Sequence, residues 1–343
     1  MKLIQQCLVE FETRKRKGHV RKRIFASVFA CLILACGSAQ VVASDKLPID
    51  VMKIVAPFPA GGAIDTLARY LAPFLSEKLG VTVIVENRAG ASGTIASQFV
   101  AGAPSNGSVL LLAATHHVIN PSLFRKLPYD TVNDFSPVAM VATSPNVLIV
   151  SKDLPVKSMA DLLELAKSKP GKLSFGSTGI GGSNHLTGEL FKRAAAIDIV
   201  HIPYKGEAPS LNDVIGGHIP MMFGTLLTTL SSIEGGSVKA LAVGSLKRSP
   251  SLPDIPTIDE SGLKDFEATS WFGLYMPAAQ NNSSYQRLVA VMREILSSPD
   301  ARAKFPYKGG TPGTLVGEEF KAYVDNEIKK WGEVIKIADV PPE

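Results

Sequence analysis

Two short segments of this 343-residue chain combine residue types suited to holding an anion. Pro59-Ala60-Gly61-Gly62 follows the apolar run Val51 to Ala56 and precedes Ile64, Leu67, Ala68, Leu71 and Leu75, which repeat at helical spacing. Glycines there permit unusual backbone angles and close approach of a ligand. The helix that starts beyond them presents free N–H groups and a positive dipole end, which suits a carboxylate. Ser177-Thr178-Gly179-Ile180-Gly181-Gly182-Ser183-Asn184 has the same strand, small-residue and helix order, with hydrogen-bonding side chains added. Backbone N–H groups of Ala60, Gly61 and Gly62 from one loop, and Ser177, Thr178, Gly179, Ser183 and His185 from the other, are the expected grip. Either loop alone could equally be an ordinary tight turn.

Other candidates carry less. His185 opens the helix after the second loop, as a ligand hydrogen-bonding group or as a structural cap. Tyr204-Lys205-Gly206 ends a strand and could place a phenol and an ammonium at a cleft, or be a solvated turn. Glu86-Asn87-Arg88 could offer a guanidinium, but its charges are expected to pair with each other. His116-His117 is an adjacent pair, and adjacent residues rarely face one metal. No His-Glu-x-x-His motif, Gly-x-x-x-x-Gly-Lys-Ser/Thr loop or Gly-x-Ser-x-Gly elbow occurs. Gly179 and Gly181 would need a glycine at 184 for a dinucleotide fingerprint, and Asn184 stands there. No metal, no cofactor and no catalytic residues are therefore expected.

The elements that must position these loops alternate along the chain. Strands are expected at Val51 to Ala56, Val81 to Val85, Val109 to Ala114, Leu173 to Gly176, Ile199 to Tyr204, Ile219 to Phe223, Val238 to Val243 and Trp271 to Met276. Two extended segments, Val138 to Val141 and Val147 to Val150, lie between, and His116 to Pro137 reads as irregular. The first helix should stop at Gly80 and be kinked or interrupted at Pro73. Ser158 with Asp161 forms a capping-box pattern, and the last helix should span about Val316 to Ile337. Strands separated by helices indicate an α/β fold with parallel sheets, and about 300 residues beyond the leader suggest two domains.

That leader is residues 1–43: a basic block Arg21-Lys22-Arg23, an apolar run Ile24 to Cys36 too short to span a bilayer, and a small-residue stretch ending at Ala43. It implies export, with cleavage after Ala43. It carries eight Lys/Arg and two Asp/Glu, leaving 28 and 29 beyond it, net −1. The basic balance of the whole chain (+5) thus belongs to targeting and is no sign of nucleic-acid binding. All three cysteines (Cys7, Cys31, Cys36) lie in the leader, which excludes disulfides, thiolate metal sites and a Cys nucleophile from the rest. Ile33-Leu34-Ala35-Cys36 faintly resembles a lipoprotein signal, so a tether at Cys36 is the alternative to a free periplasmic protein.

At the loops the chain resembles the periplasmic receptors of tripartite tricarboxylate transporters, the Bug receptors. The matching blocks are Ile54-Val55-Ala56-Pro57-Phe58-Pro59-Ala60-Gly61-Gly62 with Asp65, Val85-Glu86-Asn87-Arg88-Ala89-Gly90-Ala91-Ser92-Gly93 and Ile119-Asn120-Pro121-Ser122-Leu123. Leu127-Pro128-Tyr129-Asp130, His201-Ile202-Pro203-Tyr204-Lys205-Gly206 and Lys247-Arg248-Ser249-Pro250 continue the ordered set. The resemblance implies a flytrap of type II, two α/β domains with parallel-rich sheets joined by two crossover segments. By that analogy domain one is 45–144 with 245–343 and domain two is 145–244. It further implies that the protein captures a small carboxylate in the interdomain cleft and, as a monomer, delivers it to integral membrane transporter subunits. Phe58, Asp65, Tyr204 and Thr225 join the ligand-binding set on the same ground.

One departure bears on the ligand. After Met221-Met222-Phe223 the family commonly carries an Asp, followed by a polar residue; here Gly224-Thr225 stands. A receptor that reads a ligand ammonium would want that acid, so its absence favours a plain carboxylate or a ligand with an apolar body. Two other readings remain open: a ligand-sensing module serving a membrane signalling partner, and an exported hydrolase.

Overall fold

The computed structural model describes residues 47–279, 282–306, 308–338 and 340. The expected leader 1–43, with Cys36 and the cleavage point after Ala43, lies outside the described residues.

The apolar run Val51–Ala56 forms β1, which pairs in parallel with β2 (Thr82–Asn87) and β3 (Val109–Ala114). Between β1 and β2 runs α1 (Ala63–Leu79), whose Leu67, Leu71 and Leu75 are buried at helical spacing. Gly80 ends it in the left-handed conformation, its N–H donating to Ser76 O, as the sequence suggests. Pro73 does not interrupt it. That residue faces solvent, where water can take the carbonyl freed by the missing N–H while the buried face packs undisturbed. After a short turn at Ala91–Gly93 comes α2 (Thr94–Ala101). The stretch expected to be irregular contains α3 (His116–Leu123), which is disguised in the sequence because its buried face includes His116, His117 and Asn120.

The two expected extended segments are one strand, β4 (Phe135–Ser151). Its first part pairs antiparallel with a strand near the far end of the chain, β9 (Thr269–Pro277), from Phe135↔Pro277 to Pro145↔Thr269. Its second part, from Asn146 onward, pairs antiparallel with β7 (Met221–Thr225) and β8 (Val238–Val243). Pro145 stands where the partner changes. A proline has no N–H for the ladder, so it fits at such a junction. Around β7 the second half-sheet is parallel, with β5 (Ser174–Ser177) between β7 and β6 (Val200–Pro203). The strand order is β2-β1-β3-β9-β4-β7-β5-β6, with β8 and the two-residue β10 (Thr311–Pro312) also pairing with β4.

Each half-sheet is covered on both faces, which is why its strands read as apolar runs. In the first, Ile54, Leu110 and Leu112 pack with α1 and with α8 (Ser283–Ser297). The alternate residues Val55, Leu111 and Ala113 pack with Phe320 and Val324 of α10 (Glu318–Ala338), the short α9 (Pro299–Ala303) lying before it. In the second, Leu148, Val150 and Phe223 face α4 (Met159–Ser168) and α5 (Ser183–Ala195), while Val147, Ile149 and Met222 face α6 (Glu207–Ile215) and α7 (Leu226–Glu234). The capping box of Ser158 and Asp161 starts α4. Ile258, Phe266 and Ala268 join the core of the second half-sheet.

Candidate functional site

The loop between β1 and α1 is held by Asp65 and Arg69 of the helix that follows it and by Asn87 from farther along the chain. Asp65, in the first turn of α1, accepts the Gly61 N–H at 3.1 Å and the Arg69 Nε–H at 3.1 Å. Burial raises the Asp65 carboxyl, but the bonds from Arg69 and from the Gly61 N–H outweigh it and hold the group below its ordinary value. Asn87, at the end of β2, donates to Phe58 O at 3.0 Å. Gly61 has φ +86, an angle that side chains resist, whereas Gly62 is ordinary extended backbone.

The loop between β5 and α5 is held from beneath by two imidazoles. Ser177 Oγ accepts the Gly179 N–H at 3.1 Å and lies 2.7 Å from His201 Nε2. His185 stacks on His201 with centroids 4.0 Å apart and accepts the Gly181 N–H on Nδ1 at 3.3 Å. Burial pushes His185 down to about 4 and His201 to about 3, so both rings are neutral at pH 7 and Nδ1 of His185 is free to accept. Thr178 donates to Asn184 Oδ1 at 3.3 Å.

The two loops meet across a cavity with about 540 Å³ of empty space, its mouth included. Phe58, Gly62 and Asp65 line it from the first half of the fold; Thr178, Ser183, Asn184 and Thr225 line it from the second. Among the described residues, four helices begin at its wall, α1, α5, α6 and α7; the first three have no side-chain cap, whereas at α7 the Leu227 N–H donates to Ser144 Oγ at 3.0 Å and the Thr225 N–H to Glu207. The first N–H groups and dipole ends of α1, α5 and α6 give the lining donors although, among the described residues, it holds no Lys or Arg, and they stand beside the carboxylates of Asp65 and Glu207. Asn184 adds a side-chain donor: it is 3% exposed and its Nδ2 has no partner among the described residues.

The expected residues divide between the cavity and its support. Ala60 and Gly61 sit in the loop behind Gly62 and do not line the cavity; Ser177 and His185 lie under the second loop. Gly179 and Tyr204 line a neighbouring outer cavity that shares Phe58, Pro59 and Thr178 with the first. There the Tyr204 hydroxyl donates to Asp213 at 2.6 Å, and burial together with that carboxylate pushes it up to about 12. Glu86 pairs with Arg88 and also with Lys53 at 2.6 Å. The rings of His116 and His117 part company: His116 meets the edge of Phe58, and His117 packs among Tyr129, Phe135 and Tyr275.

Sequence reasoning missed Ser270, His116 and Glu207 in the lining. Glu207, the first residue of α6, is 7% exposed. Its carboxylate accepts the Thr225 N–H and lies 2.8 and 3.0 Å from the Thr225 hydroxyl. Burial raises the carboxyl above its ordinary value, and the bonds from Thr225 and Thr228 offset only part of that rise. The region of Gly224, expected to offer no carboxylate, therefore has one, brought from 17 residues away. The only signal in the sequence is an acid directly after Tyr204-Lys205-Gly206.

Two half-sheets, each wrapped by helices and sharing one long strand, with helix N-termini aimed at a cavity between the loops, define a two-domain periplasmic binding protein of the solute-receptor kind. Residues 67–340 match the model of the tripartite tricarboxylate transporter family receptor. The UPF0065 protein in the tcbD-tcbE intergenic region of Pseudomonas sp. (strain P51) is 36% identical, over 92% of this chain and 94% of that protein. Among solved structures, R. palustris Rpa4515 with adipate superposes with a TM-score of 0.83 at 35% identity, covering 86% of this chain and 99% of that one. The periplasmic binding protein BugD gives 0.80 at 36% identity, over 85% and 98%. The chain belongs to the tripartite tricarboxylate transporter receptor family, whose members are solute-binding receptors rather than enzymes.

Proposed function

We propose that the protein is exported on its 1–43 leader to the periplasm, captures a small carboxylate as a monomer, and hands it to integral membrane transporter subunits without catalysing a reaction. The ligand carboxylate sits between the N-termini of α1 and α5, on the N–H groups around Gly62 and Ser183 and on the amide of Asn184. Domain one, 45–144 with 245–343, closes on domain two, 145–244, although the segment carrying Ile258 and Phe266 packs with the second half-sheet. Contacts made only in the closed form favour closure when ligand is present.

One observation carries this reading: uncapped helix N-termini and the unpartnered buried amide of Asn184 converge on one cavity between the halves. A donor surface buried without acceptors is costly, and a carboxylate supplies the acceptors. The adipate held by the R. palustris relative supports the ligand class.

A thermal-shift screen of small carboxylates, each beside its fully neutral amide, tests it. A ligand at 100 times its Kd adds about 2.7 kcal/mol of stability. Acids should raise the melting temperature and neutral amides should not; equal shifts from both would exclude carboxylate recognition.

A further inference from the structure

Glu207 is the one acid at the cavity without a cationic partner among the described residues. Asp65 is paired with Arg69 at 2.9 Å, whereas the hydrogen-bond partners of Glu207 are the N–H and hydroxyl of Thr225. Thr225 is the N-cap of α7, so the Glu207 carboxylate occupies the N-terminal end of that helix. It also stands at the N-terminus of its own helix, α6. The Thr225 N–H and two positive dipole ends favour the charged form of this carboxylate, against burial, which raises it above its ordinary value.

Gly224 makes this placement possible. A Cβ there would come within 3.1 Å of Glu207 Oε1 and 2.7 Å of Thr229 Cγ2. A side chain at 224 and the carboxylate of Glu207 thus compete for one space, and this chain fills it from position 207. Of the helix ends at the cavity, the one at α7 holds the Glu207 carboxylate and the one at α1 holds Asp65, whose charge Arg69 balances, while that of α5 holds no acid in its first turn.

We propose that Glu207 sets the ligand class: it takes the place that a second ligand carboxylate would occupy, so the receptor accepts a monocarboxylate with a hydrogen-bond donor at its far end and discriminates against dicarboxylates. This rests on the carboxylate reading given above. A dicarboxylate would bring a second negative charge against Glu207 in a cavity lined, among the described residues, by no Lys or Arg. An amide N–H, hydroxyl or ammonium at the same place would instead donate to it. The same substitution of carboxylate for donor is the kind of repulsive element by which binding sites exclude near-isosteres.

Matched probes separate the possibilities: succinate, glutarate and adipate, each titrated calorimetrically against its own monoamide at pH 7.5. In the wild-type protein, the monoamide of whichever length binds should be at least about tenfold tighter than the diacid. In Glu207→Gln the preference should shrink to within about threefold or reverse, because the neutral side chain no longer repels the second carboxylate. A wild-type protein that binds the diacid as tightly as the monoamide overturns this proposal while leaving the carboxylate reading intact. A preference unchanged in Glu207→Gln overturns it as well. Wild-type protein that binds none of these acids while binding their neutral diamides overturns both. The wild-type ratio is decisive even where the variant does not fold.

Discussion

The hydroxyls of Ser183 and Ser270 stand 2.6 Å apart, joining the first turn of α5 to β9. Ser270 donates to Asn146 Oδ1 at 2.7 Å, so its single hydrogen is used and Ser183 must donate to it. Asn146 Nδ2 donates to Thr187 Oγ1 at 2.6 Å, and Thr187 donates back to Ser183 O at 2.6 Å. The ring closes at Asn146, the residue at which β4 changes partner from β9 to β7.

A buried ring of this kind should be cooperative. Ser183→Ala and Ser270→Ala each leave a buried group short of a partner and should cost about 1–3 kcal/mol. Their double variant should cost less than the sum, with a coupling of at least about 0.5 kcal/mol in urea unfolding. Strict additivity would mean that the two hydroxyls act independently.

Glu327 anchors the last helix. Its Oε2 accepts the indole N–H of Trp271 at 2.7 Å and that of Trp331 at 2.9 Å, all three side chains being buried. Glu327→Ala should lower unfolding stability by about 2–4 kcal/mol, because two buried donors lose their acceptor. Glu327→Gln keeps an acceptor and should cost clearly less. Equal losses in the two variants would remove the hydrogen bonds from the explanation.

Acid should weaken the fold well above the carboxylate range. Burial pushes His116 and His117 down to about 3, while in the unfolded chain each titrates near the ordinary 6.5. Below pH 6.5 the unfolded state therefore takes up protons that the native state refuses, and stability falls as pH drops toward 3. The loss is up to about 1.4 kcal/mol per pH unit for each such group. Urea midpoints at pH 7.5 and 5.5 should differ clearly in the wild type and less in His117→Phe, which keeps the aromatic packing. Identical pH slopes in the two proteins would show that His117 is not held neutral.

The first loop separates binding from folding. A side chain at Gly62 meets only Pro59 O, at 3.8 Å, and its backbone angles suit any residue. Gly62→Val should therefore fold while intruding on the cavity, and a lost charge-assisted bond or two should weaken carboxylate binding roughly tenfold to several hundredfold. Thr178→Val removes the bond to Asn184 Oδ1 and should cost less. Calorimetric affinities unchanged in both variants would move the site away from these loops.

What could be read from sequence was local. The β1 and α1 run, its stop at Gly80, the capping box at Ser158 and the two small-residue loops all declare themselves within a few residues. What escaped depends on pairs far apart in the chain. Asn87 reaches Phe58 over 29 residues, and Glu207 is placed by Thr225, 18 residues on, and by the space at Gly224. The α3 helix was hidden because a buried face built from His116, His117 and Asn120 carries no apolar period. Phe58 and Asp65 entered the site through family resemblance rather than through spacing, and the bracket of Asp65, Arg69 and Asn87 supplies their physical reason.

The central claim is that a ligand carboxylate lies between the starts of α1 and α5. A crystal structure of the protein with a carboxylate from the thermal-shift screen tests it most directly. The account predicts a carboxylate oxygen within hydrogen-bonding distance of Asn184 Nδ2 and of backbone N–H groups in the first turns of both helices, at roughly 2.7–3.2 Å. A ligand seated instead in the outer cavity between Ala91 and Tyr204, with its carboxylate on Lys205 and Asn184 Nδ2 left without an acceptor, would contradict it.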